Sequence, residues 1–213
     1  MTAPTLTDLI YLKKNYLTKD QCDIIINEFE GTSRPEDKES CYHAFTGVET
    51  TSTFTVKTSQ EGSESFNIIH QTIGNVINEY HDYLDTFNAF HISRRASMLY
   101  PHKYRIMKYA KGAWIHPHVD DDASGINGSC TINLNSDYEG GTFAFWGGKH
   151  KVKLGLGDVM IWPADYSFWV HEVEEITEGT RYSANCFLCE RPKLDYGSNV
   201  KYNVRGSDVE IGY

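Results

Sequence analysis

Along the first third of the chain, apolar residues recur at the spacing of one helix face. Cys22, Ile25, Ile26 and Phe29 form such a stripe after Leu17-Thr18-Lys19-Asp20-Gln21. Thr18 has the chemistry of an N-cap, and Gln21 stands three residues on as its capping-box partner. Gly31 ends that run. A second stripe, Phe66, Ile69, Ile73, Ile77, Tyr80 and Leu84, predicts a helix beginning near Ser63. Both stripes are read as core-packing faces. Residues 32–62 between them are polar and turn-rich, which predicts loops with one or two short strands.

From about Tyr104 the apolar period shortens and Gly, Asn and Asp punctuate it. Strands are expected at 104–109, 130–134, 142–146, 151–154, 159–162, 167–170 and 181–189, with turns at Gly140-Gly141, Gly147-Gly148 and Gly157-Asp158. Many short, closely spaced strands point to a sandwich or jelly roll. The expected fold class is mainly β with flanking helices (α+β). The expected layout is a single domain over 1–213, with helical support and loops over 1–103, a jelly-roll core over 104–189 and a polar tail over 190–213.

Composition narrows this modestly. A length of 213 residues suits one core, and 13% aromatic residues suit a strand-rich interior. The net charge of -9 argues against a broad nucleic-acid surface. The densest basic stretch is Arg94, Arg95, His102, Lys103, Arg105 and Lys108, readable as a solvated face or as one wall of a groove for an acidic or extended peptide. Five cysteines make no disulfide framework, and Cys186-Phe187-Leu188-Cys189 has no second pair to complete a zinc site. On a strand its two thiols point to opposite faces, so they are read as structural. No signal-like leader or membrane span is visible, so a cytoplasmic protein is expected.

The chemistry gathers in the strand-rich half. Of nine His, only His118 begins a His-x-Asp triplet, with Asp120. Chance alone supplies about 0.6 such triplets in a chain of this composition, so setting matters more than the match. On extended backbone, residues i and i+2 share a face, so imidazole and carboxylate converge on one cation. His171, at the end of the expected strand 167–170, supplies a third ligand from across the barrel. Two imidazoles and one carboxylate leave three positions open, the arrangement of iron(II) oxygenases. His116, followed by Pro117, is expected outside the ligand set, and Asp121 and Asp122 as solvated loop charges. Arg181 lies ten residues after His171, with Ser183 on the same face. A guanidinium and a hydroxyl there suit the carboxylate of 2-oxoglutarate, and Arg181 balances the charge of iron, Asp120 and the dianion.

Tyr109, Gly112, Ile115, His118 and Asp120 match the spacing Tyr-x2-Gly-x2-aromatic-x2-His-x-Asp, with Ile115 in the aromatic place and Trp114 beside it. Asn133-Leu134-Asn135, Gly140-Gly141-Thr142-Phe143, His171-Glu172-Val173, Arg181-Tyr182-Ser183 and Phe187 follow in order. Together they resemble the prolyl 4-hydroxylase-like branch of the Fe(II)/2-oxoglutarate-dependent dioxygenases. The resemblance implies a double-stranded β-helix, cupin-like core packed against N-terminal helices. It implies iron held by His118, Asp120 and His171, which would also be the catalytic centre. It implies 2-oxoglutarate held by Arg181, Ser183, Tyr109 and Asn133, the last standing where the branch often has Tyr. O2 is the oxidant, and ascorbate a candidate addition. The reaction implied is hydroxylation of an unactivated C–H bond with release of succinate and CO2. A peptidyl prolyl substrate comes first, a free amino acid or other small molecule second, and a nucleic-acid base a distant third. Arg105 and Trp114 are the candidate substrate-binding residues. A non-catalytic jelly-roll binding module and a zinc hydrolase stay open; the second leaves Arg181 and Ser183 without a task.

Overall fold

Thr18 caps the first helix as its chemistry dictates: its hydroxyl accepts the Gln21 N–H, and the Gln21 side chain accepts the Thr18 N–H at 3.0 Å. At the other end Lys57 Nζ donates to the carbonyls of Phe29 (2.6 Å) and Thr32 (3.2 Å), placing positive charge where the helix dipole favours it. Ser63 caps the second helix by accepting the Phe66 N–H. The whole stripe from Phe66 to Leu84 is buried, as are Cys22, Ile25 and Phe29; Ile26 is half-buried.

The computed structural model describes residues 4–87, 97–120, 125–164 and 167–191. In chain order the elements are β1 (Tyr11–Lys13), α1 (Lys19–Gly31), β2 (Ser40–Tyr42), β3 (Glu49–Thr51), β4 (Thr55–Thr58) and α2 (Glu64–Asp85). There follow β5 (Tyr100–Tyr109), β6 (Ile115–His118), β7 (Ile126–Asn133), β8 (Tyr138–Gly140), β9 (Phe143–Phe145) and β10 (His150–Val152). The last are β11 (Val159–Pro163), β12 (His171–Val173), β13 (Ile176–Gly179) and β14 (Arg181–Cys189).

An antiparallel sheet of six strands, in the order β1-β11-β7-β14-β5-β4, faces a smaller one, β10-β9-β12-β6. Two two-stranded pairs, β13-β8 and the hairpin β2-β3, lie beside them. Helices α1 and α2 pack on one face of the large sheet. Tyr104 turns to that side, its ring 5.0 Å from Phe66 and its hydroxyl 2.6 Å from His70 Nδ1. In register, Ile106, Ala184 and Ile132 share that face. The alternate residues, Arg105, Met107, Tyr109, Thr131, Arg181 and Ser183, face the space between the sheets. Period-2 alternation thus separates an oily, helix-covered face from a polar, hollow one.

Three expectations change. Residues 167–170 are not a strand: Ser167–Trp169 is a 3-10 turn, and β12 begins at His171. The apolar run there serves packing and bonding rather than a ladder. Trp169 is buried, Phe168 is 68% exposed, and Trp146 Nε1–H bonds the Phe168 carbonyl. The polar stretch 32–62 holds three strands rather than one or two, and β4 with β1 extends the large sheet from the expected helical half. Strand β5 starts at Tyr100, because β14 pairs with it along its whole length.

All five cysteines are free. Cys186 faces Cys130 on the helix-covered side, whereas Cys189 packs with Ile126 and Ala164. Burial pushes the Cys130 thiol up to about 12. The polar tail from Lys193, and Arg94 and Arg95, lie outside the described residues. Among the described residues, no helix is long and apolar enough to cross a membrane.

Candidate active site

His118 closes β6 directly opposite His171, the first residue of β12. Two steps on β12, from His171 to Val173, oppose three on β6, from His118 to Ile115. That bulge accommodates Pro117, which has no N–H to give the ladder. Asp120 follows two residues on. His118 Nδ1–H donates to the His116 carbonyl (2.9 Å) and His171 Nδ1–H to the Trp169 carbonyl (2.8 Å). Both Nε2 lone pairs are thereby aimed inward, at 3.3 and 3.5 Å from the two Asp120 oxygens. One donor atom from each residue lies within 4.8 Å of the others.

Burial works to raise the Asp120 carboxyl, but the imidazoles of His171 and His118 and the Ser129 hydroxyl outweigh it and hold it ionised. Burial drives His171 down to about 4 against the pull of Asp120, so its imidazole is neutral at pH 7. A buried anion flanked by imidazole nitrogen donors is what a divalent cation requires, and among the described residues no Lys or Arg pairs with Asp120. The donor set fits iron(II), and by donor type alone also zinc. Phe143 stacks on His171 at 5.2 Å, and Trp162 meets it edge-on at 5.2 Å. Trp162 Nε1–H, buried on the same cavity, has no hydrogen-bond partner among the described residues.

The triad opens on a cavity of about 820 Å³ between the sheets. Arg181 lines it and is only 2% exposed. Its Nε–H donates to Asn133 Oδ1 at 3.0 Å, and its guanidinium lies 5.0 Å from the Tyr109 ring centre. Gly141, at φ +61°, makes the room: a Cβ there would stand 3.2 Å from Arg181 Cδ and 2.5 Å from Ile176 Cδ1. Among the described residues no carboxylate pairs with Arg181. A buried guanidinium without a counter-ion is costly, so this end of the cavity is built for an anion. Ser183 stands next on the same wall, and Tyr109, whose hydroxyl burial pushes up to about 12, stays a protonated donor.

Asn133 departs from its expected part. Its amide donates to the carbonyls of Asn135 (2.7 Å), Leu154 (3.3 Å) and Gly155 (3.0 Å), and its oxygen accepts from Arg181 and Tyr138. With every polar atom engaged behind Arg181 it does not line the cavity; it positions the guanidinium. Trp114 is also not brought to the cavity. It precedes β6, is 40% exposed and faces outward, while Ile115 lines the wall. Arg105 does face in and is paired with Glu39, so its part of the basic stretch is not a solvated face. His116 is covered by the β2-β3 hairpin, bonded to Thr50, 3.6 Å from Cys41 Sγ and stacked on His43. Asp121 and Asp122 lie outside the described residues. Ser129, Thr131, Trp162 and Asn185 also reach the site without having been expected there. Only the alternation on β14, from Arg181 through Ser183 to Asn185, offered a signal for one of them.

Residues 104–189 match the family model described as the 2OG-Fe(II) oxygenase superfamily. A PKHD-type hydroxylase from Acinetobacter baumannii is 39% identical over 107 residues, 44% of this chain and 46% of that protein. The chain spans about half the length, or less, of the PKHD-type hydroxylases it matches. The viral collagen prolyl hydroxylase of Paramecium Bursaria Chlorella virus-1, in a 2OG complex, superposes with a TM-score of 0.59 at 16% identity, covering 84% of this chain and 94% of that one. A prolyl hydroxylase from Trichoplax adhaerens, in complex with a hypoxia inducible factor peptide fragment, gives a TM-score of 0.58 at 14% identity, covering 86% and 84%. These likenesses establish the double-stranded β-helix fold. The family match is to residues 104–189, and the fold over the chain is that of the prolyl hydroxylase structures.

Proposed function

We propose that this chain is an Fe(II)- and 2-oxoglutarate-dependent dioxygenase that hydroxylates an unactivated C–H bond, with a prolyl residue of a peptide as its first-choice substrate. A free amino acid is the second. The observation that carries this is the meeting, in one cavity, of a two-His, one-carboxylate cluster with a buried Arg181 that has no carboxylate partner among the described residues. His118, Asp120 and His171 would hold the iron, and Arg181, Ser183 and Tyr109 the distal carboxylate of 2-oxoglutarate. When bound, iron, 2-oxoglutarate and O2 supply the oxidising power, with succinate and CO2 as by-products.

The chain's own contribution is positional and electrostatic. The carbonyls of His116 and Trp169 hold both imidazoles in the ligating tautomer, and Ser129 steadies the carboxylate. Arg181, fixed from behind by Asn133, meets a carboxylate with its remaining N–H groups, and Tyr109 and Ser183 add donors. The rings of Phe143 and Trp162 shield the metal end from water. The hydroxylase names of the curated relatives support the reaction class, and the peptide complex of the Trichoplax adhaerens protein supports a peptide. A zinc hydrolase leaves Arg181 unexplained.

Anaerobic addition of iron(II) and 2-oxoglutarate to the purified chain is expected to produce a weak visible charge-transfer band, and admission of O2 to yield succinate. Asp120→Ala removes the band. A wild-type protein showing neither band nor succinate would end this assignment.

A further inference from the structure

The large sheet presents two buried guanidinium groups to one cavity. Arg181 and Arg105 both line it, and register pairs Arg181 with Tyr109, four residues beyond Arg105 on β5. At about 3.3 Å per residue, that sets them roughly 13 Å apart along the sheet. The proposed function gives Arg181 to the cosubstrate and leaves Arg105 free of that duty, and the role assigned to Arg105 rests on that reading. Arg105 belongs to the metal end. Its guanidinium lies 4.0 Å over the Phe187 ring, and Phe187 pairs in register with Ser129, the residue that bonds Asp120.

Arg105 is 7% exposed, and a charge so placed needs an anion. It has one on loan. Glu39, on the approach to β2 with its side chain 35% exposed, sets both oxygens on a single terminal nitrogen, at 2.9 and 2.7 Å. The other terminal nitrogen goes to Asn185, and the buried Nε–H has no partner among the described residues. The pairing therefore leaves unused the two-pronged geometry in which guanidinium binds carboxylate best. Lys103 adds a positive charge to the same cavity.

We propose that Arg105 recognises a carboxylate carried by the substrate near the C–H bond to be hydroxylated, and that Glu39 is the internal anion this carboxylate displaces. The carboxylate is either that of a free amino acid or the side chain of an acidic residue beside the target in a peptide.

Calorimetric titration of the full chain, loaded with Mn(II) and 2-oxoglutarate, tests this with two matched probe pairs. L-Proline is compared with L-prolinamide, and acetyl-Ala-Pro-Glu-amide with the Gln peptide. In one pair the acid is expected to bind about tenfold tighter or more. A difference in the first pair identifies a free amino acid, and in the second an acidic peptide. Arg105→Gln is expected to erase the difference, and Glu39→Gln to raise affinity for the acid several-fold. Equal binding within both pairs, no binding by any probe, or a preference that survives Arg105→Gln overturns the proposal. Loss of 2-oxoglutarate binding in Arg105→Gln would also overturn it, by giving that guanidinium to the cosubstrate. Should Arg105→Gln not fold, unchanged acid affinity in Glu39→Gln suffices to reject the idea. Succinate formation by wild type without any probe judges the oxygenase assignment separately from these binding results.

Discussion

At Arg181 a full positive charge sits 98% out of solvent, held by the neutral Asn133 amide oxygen beside the Tyr109 ring, with no carboxylate partner among the described residues. Replacing it with Met keeps the stem and removes the fork. Arg181→Met should weaken 2-oxoglutarate binding by roughly ten- to a hundredfold, the range for losing charge-assisted hydrogen bonds, while iron binding persists. Unchanged cosubstrate affinity in a calorimetric titration would take the role from Arg181. Asn133→Ala should also weaken 2-oxoglutarate, through a guanidinium no longer fixed. It should cost stability as well, about 1–3 kcal/mol, because the buried carbonyl of Leu154 loses its side-chain donor. A urea titration beside the binding measurement separates the two effects.

At the scale of elements, the turn between β10 and β11 is what holds Asn133 in place, and Asp158 holds that turn. Its carboxylate, 2% exposed, accepts from Lys14 Nζ (2.7 Å), the Gly155 N–H (2.7 Å) and the Asn15 N–H (2.9 Å). Burial works to raise this carboxyl, but those three donors outweigh it and hold it below its ordinary range. A depressed folded-state value means stability that is present above the unfolded value, roughly 3.9, and lost as pH falls through the lower folded one. Asp158→Asn should therefore cost about 1–3 kcal/mol between pH 5 and 8, and the gap to wild type should close below about pH 4. A constant gap down to pH 2.5 in urea melts would refute it. Elements with a local cause were legible in the sequence: the capping box at Thr18, the Phe66 to Leu84 stripe, the strand from Arg181 to Cys189. Those that exist only through partners were not. Strand β6 hides behind Pro117 and needs its bulge against β12, and β2-β3 forms in a polar stretch beside His116. The cluster of His118, Asp120 and His171, with Arg181, was legible because those residue types are rare in such an order. Ser129, Thr131 and Asn185 look like any strand residue until register sets them beside the site.

For the whole molecule, the triad spans a seam. His118 and His171 belong to the small sheet, while Asp120 is bonded to Ser129 on the large one. A cation bound there would join the two sheets and favour the folded state over the unfolded one. At one hundred times its dissociation constant it contributes about 2.7 kcal/mol, which for a domain of this size raises Tm by roughly 5–10 °C. Mn(II) with 2-oxoglutarate should give that shift in wild type and none in Asp120→Ala, read by differential scanning fluorimetry. Gly141 leaves room for the Arg181 stem, and the Asn133 amide oxygen holds the guanidinium from behind through its Nε–H. With the metal ligands equally fixed, the interval between them becomes a ruler. On the proposed function, a 2-oxo acid one carbon longer than 2-oxoglutarate would have to buckle to touch both ends, so 2-oxoadipate is expected to yield no decarboxylation.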